Sequence, residues 1–420
     1  MIIRPKGTKD VLPGEIDVWT SVESTIRETL RIRDFKEIRT PVFEHTELFV
    51  RGVGEGSDIV NKEMYTFLDK GERSLTLKPE GTASIARAVV ENGLDNEALP
   101  LKLFTYTPCF RYERPQTGRL REHHQFSIEA FGSYSPTMDA EVIGTIKMVL
   151  DKLNFHNYTI NINSIGCPEC RKKYLEALKK YYAKHIDSMC EDCKVRYKKN
   201  ALRLLDCKEE GCAGFKKDAP KPIDFLCDDC KNHFEGVKAC LDNAGIKYAI
   251  NVNLVRGIDY YTRTVFEFLT TEKGALNVIC GGGRYDGLIE GLGGKSLPAV
   301  GVGLGIEHLL LLLEKNNVPV RLIDYNNLYI VSQNGQVLPM VIKLANQIRE
   351  IGMACDYDLM DRSFKAQMKY ANKTGAKFIV VLGESELQSG RVVVKRMSDG
   401  AGTECELSAK AIISVMQSML

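Results

Sequence analysis

Arg256, Asp259, Tyr260 and Tyr261 stand together in LVRGIDYYTRTVFEF, directly ahead of an alternating β-type run. A core strand has no use for a guanidinium, a carboxylate and two adjacent phenols, whereas a small charged ligand does. A second stretch, FRYERPQTGRLREHHQFSIEA, carries Arg111, Gln125, Ser127 and Glu129 at strand-like spacing. Alternation puts Arg111 on one face with Thr107 and Cys109, and Gln125, Ser127 and Glu129 on one face of the return run. Paired as a hairpin, these runs bring a guanidinium, an amide and a carboxylate onto one surface. Guanidinium forks match phosphate oxygens and a carboxylate holds an ammonium, so the set suits a ligand with an anionic and a cationic end. The loop between them holds Arg114, Arg119 and Arg121, which reads either as a phosphate grip or as a solvated charged tip.

Two further stretches are weaker by themselves. In LTLKPEGTASIARA, Thr82 reads as a helix N-cap and Glu80 as a first-turn acid. In LPAVGVGLGIEHLLLLLEK, Gly301, Gly303 and Gly305 strip one strand face of side chains. Such a face either admits a flat ligand to the backbone or packs tightly on a helix.

The chain has 13 cysteines and no apolar signal core, so reduced thiols and a cytoplasmic location are expected. Eight of them form close pairs: Cys167 with Cys170, Cys190 with Cys193, Cys207 with Cys212, and Cys227 with Cys230. Two thiolates from one turn fill half of a tetrahedral zinc shell, so structural zinc is expected, in one or two sites whose pairing the spacing leaves open. No histidine or acid completes an open catalytic metal site.

Stepping outward, 420 residues suffice for several domains. Residues 1–163 mix helix, such as Glu15–Arg33, with strands; 164–245 are Cys- and Lys-rich and helical in period; 246–318 return to strands. Hairpin punctuation is expected at TEKG, and KNNVPVRLIDYNN reads as a connector. Residues 326–420 alternate buried strands with helices and predict a small α/β domain, in which Arg362, Lys365, Lys369 and Lys373 cluster around a helix. The longest apolar run, Leu309–Leu313, is too short to span a bilayer. A net charge of +2 gives no global field for nucleic acid, leaving phosphate contacts to local patches.

The stretches PKGTKDVLP, TPVFEHTELFVRGVGEGSDIVNKEMYTF, LKPEGTA, FRYERPQTGRLREHHQF, LVRGIDYYTRTVFEF and GGGRYDGL together resemble bacterial-type histidyl-tRNA synthetases over essentially the whole chain. The resemblance implies an α+β fold: a class II catalytic domain with an antiparallel sheet flanked by helices, interrupted by the helical Cys-rich insertion and followed by an anticodon-binding α/β domain. It implies a homodimer through RTPVFEHTELF around Pro41, with ATP, Mg²⁺, L-histidine and tRNA(His) as partners and no membrane. By the same resemblance, Arg111 and Arg256 are the catalytic cations that neutralise the α-phosphate and the substrate carboxylate. Glu80, Thr82 and Gln125 hold the ammonium, Glu129 and Tyr261 hold the imidazole nitrogens, Tyr260 lines the pocket, and Asp259 orients it. ATP falls to Arg111, Glu113 (also the Mg²⁺ ligand), Arg119, Arg121, Arg256 and His308. A neutral imidazole offers one donor and one acceptor, and a site built on such bonds rejects analogues by about 10⁴–10⁵, so no editing domain is required.

His308 departs from the family, whose third motif carries an arginine there. A neutral imidazole lacks both charge and fork, leaving a cation of the hairpin loop or Arg284 as its substitute. A catalytically silent regulatory paralogue and a zinc-organised RNA-binding protein are the competing readings. The intact Arg256 motif and the tail domain argue against the first. Glu80, Gln125 and Glu129, which RNA binding alone does not need, argue against the second.

Overall fold

The outgoing and return runs around Arg111 pair as a regular antiparallel hairpin, and the rest of the large sheet is laid on either side of it. The computed structural model describes residues 1–54, 57–116, 118–199, 201–205, 207, 209–271, 277–320 and 328–419. Contacts divide the chain into two compact units, Met1–Arg321 and Leu322–Leu420.

In the first unit the strands are β1 (Lys36–Glu37), β2 (Phe43–His45), β3 (Tyr65–Leu68), β4 (Ser74–Leu77), β5 (Leu101–Phe110), β6 (Glu122–Phe131), β7 (Tyr158–Ser164), β8 (Ala249–Ile250), β9 (Thr262–Thr270), β10 (Val278–Arg284) and β11 (Ala299–Gly305). Eight of them form one sheet in the order β1-β5-β6-β11-β10-β9-β7-β8. Its five central pairings are antiparallel, and only the short edge strands β1 and β8 join in parallel. Strands β2, β4 and β3 make a small second sheet.

Alternation sorts the large sheet into two faces. Phe126, Ile128, Phe266, Phe268, Val300 and Val302 bury against helices Glu15–Ile32 and Pro136–Lys152. The first helix contributes Trp19, Val22, Ile26 and Leu30 at helical spacing. The second starts at an N-cap, Ser135, whose hydroxyl accepts from Thr137 N–H at 3.3 Å, with Pro136 at its first position. The opposite face keeps Gln125, Ser127 and Glu129. Between β7 and β8 the chain is helical, with Pro168–Tyr182, Glu191–Lys199, Glu210–Lys217 and Asp228–Asn243.

The second unit carries β12 (Leu328–Ser332), β13 (Cys355–Tyr357), β14 (Phe378–Leu382), β15 (Arg391–Arg396) and β16 (Gly402–Glu406), in the order β13-β12-β14-β15-β16. Its core gathers Ile330, Val341, Leu344, Ile348, Val380 and Ile412 between sheet and helices. The two expected buried strands, Leu328–Ser332 and Phe378–Leu382, are adjacent and parallel. An antiparallel pair, β15 and β16, extends them, because the alternation in RVVVKR buries one face only. The TEKG punctuation and the end of the connector lie largely at 272–276 and 321–327, outside the described residues. Among the described residues no helix is long and apolar enough to cross a membrane.

Candidate active site

Register builds the floor. Gln125 faces Thr107, Ser127 faces Thr105 and Glu129 faces Leu103 across β5, while Glu129 and Ser127 lie opposite Gly301 and Gly303 across β11. A Cβ at Gly301 would overlap Glu129 Oε2, and one at Gly303 would come within 2.8 Å of Gln125 Nε2. A Cβ at Gly281 would strike the Arg256 guanidinium, and one at Gly81 would overlap Ser127 Oγ. The glycine face therefore neither packs a helix nor lies bare: polar side chains of neighbouring segments occupy the freed space.

Above this floor two carboxyl groups are held almost out of water, Glu80 at 3% and Glu129 at 0% exposure. Glu129 accepts from Thr82 Oγ1 at 2.6 Å and, through a short bond, from the Tyr285 hydroxyl. Glu80 accepts from Tyr260 Oη at 3.0 Å and from Ala83 N–H at 2.9 Å. Gly81, not Thr82, is thus the cap residue of helix Thr82–Glu91, and the Glu80 carboxyl satisfies one of its free amides. Tyr260 packs at 4.7 Å from Tyr261 and 5.3 Å from Tyr285. Gln125 donates to Ser127 Oγ at 2.8 Å. Burial pushes both carboxyls up, Glu129 to about 8, and their hydroxyl and amide donors only partly oppose it. Among the described residues both acids take their hydrogen bonds from neutral donors, and no ammonium or guanidinium bonds either of them directly. Tyr285 was not singled out from sequence, although it lies in GGGRYDGL; its phenol beside a glycine run was the available signal.

The cations flank this group. Arg111, just past β5, donates Nε to Pro79 O at 2.9 Å and lies 4.0 Å from Glu113. Its charge opposes the rise at Glu80. Arg119 lies 3.6 Å from Glu113, and Arg121 donates Nε to Glu113 O at 3.2 Å while its guanidinium stacks 3.8 Å from the Tyr112 ring. Arg256, over Gly281, pairs with Glu267 and opposes the rise of the buried Tyr261 phenol, which reaches about 12. Arg114 is exposed.

His308 stands on helix Ile306–Lys315 directly after β11, with both ring nitrogens buried and without hydrogen-bond partners among the described residues. Burial holds its pKa down, and Arg119 and Lys315 add to that. Arg284 is no substitute cation. Its side chain is fully buried and is consumed by Asp139, by Asp286 at 3.1 Å, and by Ser133 O at 2.9 Å. The acid that claims it lies far away in sequence, which composition and spacing do not reveal.

The cysteines divide cleanly. Cys167, Cys170, Cys227 and Cys230 form one group; Cys190, Cys193, Cys207 and Cys212 form another, with all sulfurs of a group within 4.8 Å of one another. Cys167 and Cys227 are the cap residues of helices Pro168–Tyr182 and Asp228–Asn243. Sulfur contacts of 3.5 and 3.8 Å match the roughly 3.8 Å edge of a tetrahedron with metal–sulfur bonds of about 2.3 Å. The residues present therefore fit one four-thiolate ion per group.

A largely antiparallel sheet flanked by helices, with a buried polar face flanked by arginines, is the architecture of a class II aminoacyl-tRNA synthetase catalytic core. The family model for histidyl-tRNA synthetase matches residues 7–309, and that for the anticodon-binding domain matches residues 327–419. The chain belongs to the histidyl-tRNA synthetase family. It is 52% identical over 400 residues to a histidine–tRNA ligase from Caldanaerobacter subterraneus subsp. tengcongensis, covering 95% of this chain and 96% of that one. A histidine–tRNA ligase from Clostridium novyi is 50% identical over 404 residues, covering 96% of each. The crystal structure of apo S. aureus histidyl-tRNA synthetase superposes with a TM-score of 0.83 at 37% identity, covering 100% of this chain and 99% of that one.

Proposed function

We propose that the chain activates L-histidine with ATP and transfers it to tRNA(His). The observation that carries this is the pair of buried carboxyls, Glu80 and Glu129, each bonded to neutral donors and ringed by Tyr260, Tyr261, Tyr285 and Gln125. A histidine supplies what they lack: an ammonium near Glu80, Thr82 and Gln125, and a ring N–H near Glu129 with Tyr261 at the other nitrogen.

The histidine carboxylate oxygen attacks the α-phosphorus, a P–O bond to pyrophosphate breaks, and a mixed anhydride forms. No proton leaves the nucleophile, so the step asks for positioned cations rather than a base. Arg111 and Arg256, on opposite sides of the pocket, take that role. Arg119, Arg121 and His308 serve the rest of ATP. Glu113 fits a hard, oxygen-ligated Mg²⁺, which when bound neutralises phosphate charge. In the second step a hydroxyl of the terminal adenosine attacks the acyl carbon and AMP leaves.

Residues 1–163 and 246–318 form the catalytic domain in this reading, 164–245 the insertion, and 326–420 the anticodon-binding domain. Arg362, whose guanidinium lies 4.2 Å from the Tyr370 ring, and the lysines of helix Phe364–Lys373 meet tRNA phosphates and bases. A homodimer is supported by exposed apolar residues on the small sheet, Phe43 at 52% and Leu68 at 66%. Zinc is the ion assigned to the thiol groups, and the cytoplasm is the place of work. Histidine-dependent ATP–pyrophosphate exchange, followed by charging of tRNA(His), tests the reading. Exchange driven equally by other amino acids, or none at all, overturns it.

A further inference from the structure

From the geometry we infer that the Cys167, Cys170, Cys227 and Cys230 group holds one tetrahedral zinc-class ion that positions the histidine-binding loop, with Arg171 as the link. The inference rests on the proposed histidine pocket.

The route is continuous. Helix Asp228–Asn243 is anchored in the catalytic core by Phe234, Val237 and Leu241. At its start Cys227 N–H donates to Cys170 Sγ at 3.1 Å, so the thiol group joins it to the first turn of helix Pro168–Tyr182. The next residue of that turn, Arg171, donates to Asp259 O at 2.8 Å and to Tyr261 O at 3.5 Å, and its guanidinium lies 3.9 Å from the Asp259 carboxylate. Those two carbonyls bracket Tyr260, which bonds Glu80. The other side of the same turn is tied to the loop's exit, where Ile165 N–H donates to Arg263 O and Arg263 N–H to Gly166 O, each at 2.8 Å. A cavity of about 510 Å³, lined by Cys167, Pro168, Asp259, Tyr260, Thr262 and Asp286, adjoins both the helix start and the loop. Beside it Arg171 joins the two through the Asp259 and Tyr261 carbonyls.

The donor chemistry selects the ion. Four sulfurs and no oxygen or nitrogen favour zinc over hard cations, and four sulfurs mutually within 4.8 Å close around one ion rather than a cluster. The second group is knit within the insertion, where Cys190 N–H donates to Cys212 Sγ at 3.4 Å. It serves as the internal control.

The test combines metal content, separate histidine and ATP KM values from pyrophosphate exchange, and hydrogen exchange of residues 254–262. Wild type should carry two zinc ions per chain, one for each group. Cys227→Ser should carry one fewer, raise the histidine KM about tenfold with the ATP KM within about twofold, and speed exchange of the loop. Cys193→Ser should also lose one ion yet leave the histidine KM within about twofold of wild type. Arg171→Gln should keep both ions and still raise the histidine KM about tenfold, with Arg171→Lys restoring part of the loss. A metal-free wild type overturns the inference. So does a Cys227→Ser protein that loses its ion while histidine KM and loop exchange stay unchanged, or histidine and ATP KM values that rise together. A wild type with both ions but no histidine-dependent exchange defeats the proposed activity instead, and loop exchange then still decides the coupling.

Discussion

On the polar face of the large sheet, Gln125, Ser127 and Glu129 are carried by one strand whose register against β5 and β11 fixes them, and Gly301 and Gly303 on β11 clear space for Glu129 and Gln125. In the insertion, eight thiols are gathered from segments as far apart as Cys170 and Cys227, with sulfurs at tetrahedral spacing. The first arrangement is held by a backbone ladder and needs no ligand to exist. The second brings polarisable, ionisable groups together in a set that fits an ion, whose binding energy would become folding energy. Local periodicity writes the one; long-range chemistry writes the other.

The largest break of this contrast lies on the rigid face. On the proposed reading, Arg256→Ala removes the cation assigned to the reacting phosphate while leaving the strand ladder in place. Histidine-dependent exchange should fall by about 10³-fold while tRNA binding stays close to normal. Exchange within tenfold of wild type would falsify the role assigned to Arg256.

Gly301→Ala comes next. Its methyl competes with Glu129 Oε2 for the same space inside a paired strand, so the carboxyl must turn away. A loss of about 10² in kcat/KM for histidine is expected, equivalent to about 2.7 kcal/mol, in a protein that still melts cooperatively. If activity survives intact, register is not what positions Glu129.

This residue also shows how far the sequence could be read. Period-2 alternation put Gln125, Ser127 and Glu129 on one face of a hairpin, and the hairpin has that register. The same alternation said that Gly301 and Gly303 lacked side chains but not what entered their space, because the intruding groups belong to another strand. Tyr285 stayed hidden for the same reason: it reaches Glu129 from 156 residues away. Arg284 was misjudged as an available cation, since Asp139, which claims it, is 145 residues distant. The cysteine pairs were legible one by one, but their grouping needed the helices that bring their caps together.

A smaller effect separates stability from function at the same carboxyl. Burial raises Glu129 from 4.5 to about 8, so between those values the folded chain binds more protons than the unfolded one. That contribution to stability is complete below the lower value and is lost as pH rises through the upper one. Glu129→Gln never ionises, so its Tm relative to wild type should be higher near pH 8.5 than near pH 5.5, by a few degrees, while histidine activation is lost. Thermal melts at the two pH values decide it; a difference that is the same at both would mean Glu129 is ionised throughout.

The smallest expected change concerns His308, which the proposed reading turns toward ATP and where the family resemblance leads one to expect an arginine. Burial, Arg119 and Lys315 all disfavour its charged form and hold its pKa below the ordinary imidazole value. An arginine there brings a permanent charge and a planar fork, but meets the same two cations, which temper the gain. His308→Arg should therefore lower the ATP KM by only about threefold, with the histidine KM unchanged. Wild type should itself bind ATP more tightly as acid protonates the ring, and the variant should lose this slope. A slope that persists in His308→Arg would move the titrating group elsewhere, to His124 on Glu307, whose carboxylate lies 3.0 Å from the ring and raises its pKa. His308 would then act on the nucleotide through its ring face alone, and the missing family arginine would be replaced by Arg119 rather than by imidazole.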